Sequence, residues 1–200
     1  MNVLQNLSIK TRLGIGYVVL TCALILVAVM GIRGMSTTQE SLDNQVNRLN
    51  VIKSLGNRVL DTANARAVSA RNLVIAGSKE DAEAETRRIG VAHEAMGKAL
   101  QGVEKALKTA PPEAAPLNTL LAEIKKTEAA YGPVALEITR LGSLGEKDAA
   151  IKKINEECRP LLNKLVADIE AFLAESDAIS KRASQESMHQ FESLRFQLIL

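Results

Sequence analysis

Between Leu117 and Leu141, the positions Leu117, Leu120, Ile124, Thr127, Tyr131, Val134, Ile138 and Leu141 step by three and four residues without a break. The same steps pick out Ile89, Ala92, Met96, Ala99 and Val103, and again Ile151, Ile154, Cys158, Leu161 and Leu165. A further helix fits heptads with Leu42, Leu49, Gly56, Ala63 and Ala70 at one core position and Gln45, Ile52, Val59, Arg66 and Leu73 at the other. Sustained three-four spacing is the seam of a left-handed helical bundle. The breaks between seams are legible too. Gly77 reads as a helix stop, and Ser78 with Asp81 three residues on reads as the cap of the next helix. "APPEAAP" (110–116) and "GSLG" (142–145) read as loops. The segment from Arg33 to Arg195 therefore divides into four helices, and the short loops make neighbours antiparallel. The pattern predicts an all-α fold, an antiparallel up-down four-helix bundle.

Ahead of the bundle, "LGIGYVVLTCALILVAVMGI" (13–32) holds no charge and is bracketed by Arg12 and Arg33. Twenty helical residues rise about 30 Å, the hydrocarbon thickness of a bilayer. The run is longer than a signal-peptide core and "VAVMGIRGM" makes a poor cleavage site, so an uncleaved N-terminal transmembrane helix is expected. The tail 1–12 has two basic and no acidic residues, which places it in the cytoplasm and the segment 33–195 outside. The closing "RFQLIL" reads as the start of a second span over 196–200, as in a fragment of a longer membrane protein.

Composition narrows the chemistry. Charge is balanced over the outer segment: 25 basic residues less Lys10 and Arg12 leave 23, against 23 acidic. With no basic stripe and 2% aromatics, nucleic acid is not an expected partner. Cys22 and Cys158 lie far apart in unlike surroundings, so no disulfide is expected, and no Cys/His spacing calls for a metal. His93 and His189 read as solvated surface histidines. The carboxylates scatter at i,i+4 spacing, and no phosphate-cradling loop, nucleophile elbow or paired-carboxylate site stands out, so neither an enzyme nor a cofactor is expected.

The chemistry that remains lies in arginines. Arg66 interrupts an apolar seam, where a charge is costly unless paired or partly solvated. Arg71 continues the polar row Asp43, Asn50, Asn57, Asn64. In an antiparallel bundle, positions equally far from one end share a level. Eleven residues from the turn at Gly77, this brings Arg66 together with Arg88, Thr127, Tyr131 and Arg159, beside Pro133. Arginines, a hydroxyl and a phenol would suit a small carboxylate held by bidentate bonds. The alternative is that Glu157 or Glu128 pairs Arg66 and Tyr131 fills core. Arg66 and Arg71 lie about 140° apart around the helix, so they cannot enter one narrow site from one helix.

The opening "NLSIKTRLGIGYVVL" resembles the start of bacterial methyl-accepting chemotaxis receptors, in which a short basic tail leads into the first span. The length of the outer segment and its four-helix division are similar to that family's sensor domain. The resemblance implies a homodimer in the bacterial inner membrane, with a periplasmic ligand-binding bundle and cytoplasmic signalling partners beyond the second span. It also implies that the arginine pair Arg66 and Arg71 grips carboxylate ligands. The aspartate-type members carry a further arginine four residues on, where this chain has Ile75, so a different organic acid or amino acid is expected. The input domain of a sensor kinase or cyclic-nucleotide enzyme shares the architecture. A membrane-anchored structural bundle without ligand is the reading from another class.

Overall fold

The computed structural model describes the backbone of residues 9–199; the side chains of 9, 11–12, 28, 30–45, 187, 190–191 and 194–199 lie outside the description. Five α-helices follow one another: α1 (Ile9–Ile75), α2 (Lys79–Leu107), α3 (Pro116–Ser143), α4 (Lys147–Lys153) and α5 (Arg159–Ile199). A 3-10 turn (Pro112–Ala114) leads into α3, and a π turn (Ile154–Cys158) joins α4 directly to α5. The expected fourth helix is thus α4, the π turn and α5 in one line of chain. Two compact units result, one spanning residues 45–186 and the other formed by residues before 45 and after 186.

The first unit is the helical bundle. Its core is the expected seam in α2, where Ile89, Ala92, Met96, Ala99 and Val103 are all buried. In α1 the heptad core positions from Leu49 to Leu73 are buried, Arg66 included, while Asn50, Asn57, Asn64 and Arg71 are exposed. In α3 the buried line shifts slightly: Leu121 and Ala135 are buried where Leu120 and Val134 were expected, and these two pack half-buried beside them. Leu121 and Ala135 lie one residue further along the same face, so one apolar stripe takes in both sets. Pro133 does not break α3.

The caps explain the element lengths. Ser78 Oγ accepts from the Asp81 amide at 3.1 Å, as its spacing implied. Pro116 opens α3 at its first turn, where the missing N–H costs nothing. At the other end of α3, Gly145 takes φ 77°, Glu146 N–H reaches Leu141 C=O at 3.0 Å and Gly145 N–H reaches Gly142 C=O at 3.1 Å. This is a Schellman stop. Gly77 differs: among the described residues only Gly145 has positive φ, and α1 ends at Ile75, so Gly77 is a bend and not a left-handed stop. Two glycines let helices approach closely. A Cβ at Gly56 would meet Leu173 at 2.9 Å, and one at Gly142 would meet Leu73 at 2.9 Å.

The second unit contains the start of α1. Among the described residues no helix is long and apolar enough to cross a membrane. The span expected over Leu13–Ile32 is described without interruption only from Leu13 to Val27, which rises about 22 Å against the roughly 30 Å of a bilayer core. Ala28 and Met30 to Ile32 lie outside the described side chains, as does the expected second span at 196–200. Leu13, Tyr17, Leu20 and Leu24 are each more than 60% exposed.

Candidate functional site

The bundle holds two arginine-centred clusters. The first is closed. Arg66 is fully buried, and Glu128 on α3 meets it with both carboxylate oxygens: Nη1 donates to Oε1 at 2.8 Å and Nη2 to Oε2 at 2.5 Å. Nη1 also lies 3.0 Å from His93 Nδ1 on α2. Arginine only donates, so Nδ1 accepts and the ring proton sits on Nε2. The guanidinium stacks on the Tyr131 ring at 4.5 Å from its centre. The charge that the seam pattern flagged is compensated by a carboxylate, the alternative that named Glu128. His93 is half-buried and polar-bonded, in contrast to the solvated surface histidine expected.

Tyr131 is fully buried and its hydroxyl has no hydrogen-bond partner among the described residues. Burial pushes the phenol far above its ordinary value, Cys158 adds to this, and Arg66 opposes it. Burial also raises the Cys158 thiol, against the lowering effects of Tyr131, Arg71 and Arg66. Cys158 and Cys22 are free thiols.

The second cluster is open. Arg71 on α1 and Arg159 at the start of α5 line a cavity of about 300 Å³ with Ala67, Ala70, Ile154, Asn155, Cys158 and Leu162. Among the described residues neither arginine is in an ion pair. The π turn supplies one wall. Within it, the Arg159 N–H bonds back five residues to the Ile154 carbonyl. Its cause is in the sequence: Pro160 has no N–H for an α-helical bond to Glu156, and its ring crowds that carbonyl. Widening one turn before a proline relieves the conflict, and π turns recur at functional sites.

The expected layer is therefore split. Arg66 and Tyr131 are together; Arg71 and Arg159 are together elsewhere. Arg88 pairs with Glu85 at 2.6 Å and borders a different groove, between α1 and α2, with Thr62 and Ser69. Thr127 donates to Asp168 on α5 at 2.6 Å, and Lys164 holds the same carboxylate at 2.8 Å. Burial alone would raise Asp168, but the Lys164 and Thr127 hydrogen bonds hold it below the ordinary aspartate value. The level count missed by about a turn, since His93 and not Ile89 faces Arg66. Asn155 and Asp168 were not singled out, and His93 was read as a surface residue. The "ECRP" stretch carried the one available signal, a proline inside a helical pattern.

The helical segments of residues 45–186 enclose one buried core, the form of a four-helix bundle. The family comparison agrees: a model described as a four helix bundle sensory module for signal transduction matches residues 6–191, and the chain belongs to that family, the sensory module of methyl-accepting chemotaxis proteins. No curated protein and no solved structure matches.

Proposed function

We propose that this chain is the sensing part of a transmembrane chemotaxis receptor and takes a small organic acid or amino acid in the cavity between Arg71 and Arg159. One observation carries the reading: two arginines free of ion pairs among the described residues converge on a cavity of about 300 Å³. Two guanidiniums can each grip a carboxylate with parallel bonds. Asn155 adds a neutral donor and acceptor, and Ala67 and Ala70 leave room. Arg66 is not a ligand contact in this reading. Its hydrogen-bonding edge is occupied by Glu128, and it contributes support behind Tyr131 and Cys158.

The membrane setting rests on the sequence: an uncharged run at 13–32, a basic tail ahead of it, and apolar side chains left uncovered from Leu13 to Val27. In this reading the bundle lies in the periplasm, carried by a bacterial inner-membrane protein. The reading includes a homodimer and cytoplasmic signalling partners, as the resemblance to chemotaxis receptors implies. A purely structural bundle is the second reading, favoured by the self-sufficiency of the Arg66 cluster. The test is a thermal melt of the chain in detergent against single carboxylates and amino acids. A ligand at a hundred times its Kd adds about 2.7 kcal/mol. The rise should vanish in Arg71→Ala and Arg159→Ala; no rise with any compound supports the structural reading.

A further inference from the structure

From the last residue of the π turn through α5 the buried line runs Cys158, Leu162, Leu165, Ile169, Phe172, Ser176 and Ile179, steps of four and three throughout. Continued backward in the same rhythm, it would reach Asn155 and Ile151. The structure does otherwise. Ala150 is fully buried, Ile154 is half-buried, Ile151 is 45% exposed and Asn155 is exposed. Upstream of the π turn, the buried face is shifted by one residue, and the π turn absorbs the extra one.

The same sequence therefore has two packings for α4. In the π register, Ala150 enters the core and Asn155 faces the cavity. In an all-α register, the segment Lys147–Lys153 would turn by about 100°, the angle of one residue. Ile151 would replace Ala150, and Asn155 would join the seam. The terms oppose each other. Burying Ile151 is favourable, while burying Asn155 without a partner is not. Pro160 weighs against the all-α register, because that register needs a hydrogen bond it cannot donate. Packings of one sequence separated by such opposing terms make a two-state element.

We propose that the π turn at Ile154–Cys158 is a register switch, and that an anion held by Arg71, Arg159 and Asn155 stabilises the π register. The coupling to an anion rests on the ligand reading above; the switch itself does not. Arg159 lies after the turn and keeps its place in either register. Asn155 and Ile154 lie within it and leave the cavity wall when it closes. Ligand occupancy is thereby converted into rotation of α4 against α3.

The test uses the whole chain in detergent, with Cys22→Ser to remove the exposed thiol, and follows maleimide labelling of Ala150→Cys and Ile151→Cys. The Cys22→Ser parent reports the reactivity of buried Cys158. In the native register, the thiol at 150 is protected and that at 151 labels. Pro160→Ala supplies the missing donor and should reverse the pattern, slowing labelling at 151 and speeding it at 150 by about tenfold each. Deleting Asn155 in the Pro160→Ala background removes the extra residue and should restore the native pattern. Asn155→Leu with Pro160 in place removes the cost of burying an amide and should move the pattern in the same direction, speeding labelling at 150. This second variant keeps the proposal testable should Pro160→Ala fail to fold. An unchanged pattern in a folded Pro160→Ala chain overturns the switch, as does an unchanged pattern in Asn155→Leu where Pro160→Ala does not fold. Succinate and malonate are the anion probes, and both should push Pro160→Ala back towards the native pattern. Reversal by Pro160→Ala with no response to either probe retains the switch and removes the coupling to these anions.

Discussion

Arg66 and Arg71 lie five residues apart on α1 and meet opposite environments. Arg66 points into the bundle, where a carboxylate, an imidazole and a phenol ring enclose it. Arg71 points over a cavity that it shares with Arg159. The difference follows from the helical angle between them and from what faces each. Glu128 sits one residue past Thr127 on α3, at the level of Arg66, whereas Arg71 faces a stretch of chain opened by the π turn. An arginine in an apolar seam is therefore a poor guide to a ligand site: the costlier its burial, the stronger the requirement that the protein itself supply the counter-charge. The arginine on the polar row is the one left available.

The comparison can be broken most sharply at Glu128. Glu128→Ala leaves Arg66 buried without its partner and should cost about 3 kcal/mol, read by chemical denaturation. The double change Arg66→Met with Glu128→Leu should return to within about 1 kcal/mol of the native stability, because it removes the charge along with its counter-charge. A small effect of the single change would mean that the pair does not hold the core.

Next in size is Gly142→Ala. Its Cβ would crowd Leu73, in the last turns of the helix that carries both arginines. Overpacking there should cost about 1–2 kcal/mol in a thermal melt. It should also weaken any carboxylate-induced stabilisation if the cavity geometry depends on where α1 rests.

Asp168 separates structural charge from ligand charge. Its folded value is held below the ordinary aspartate value of 3.8 by the bonds from Lys164 and Thr127, so the folded state favours the ionised form. The stability it contributes is present above pH 3.8 and is lost as pH falls through the lower folded value. Asp168→Asn should cost about 1 kcal/mol at pH 7, a figure discounted for the exposure of Lys164, and the difference from native should shrink in acid. Denaturation curves between pH 7 and pH 3 read this directly.

The smallest expected effect on folding is the most informative about function. Arg71→Ala and Arg159→Ala should each change stability by no more than about 0.5 kcal/mol, since neither side chain is in an ion pair among the described residues. Each should nonetheless abolish the rise in Tm given by a carboxylate ligand. Losses of several kcal/mol would place these arginines with Arg66 as structural groups.

The sequence by itself determined the four-helix division, the cap at Ser78, and the seams of α1 and α2. These features depend on local periodicity and on the terminal chemistry of a helix, both of which are read within a few residues. It also marked Arg66 as an anomaly and named Glu128 among its possible partners. The tertiary structure decided which carboxylate answers Arg66, that His93 and Asp168 belong to polar clusters, and that Arg71 meets Arg159. Those pairings depend on the vertical offset between helices, and an error of one turn moves a contact by about 5 Å. The π turn was hidden for a related reason. An unbroken helical count assumes that every residue advances the face by the same angle, and a proline at position 160 makes one turn of this chain advance by less.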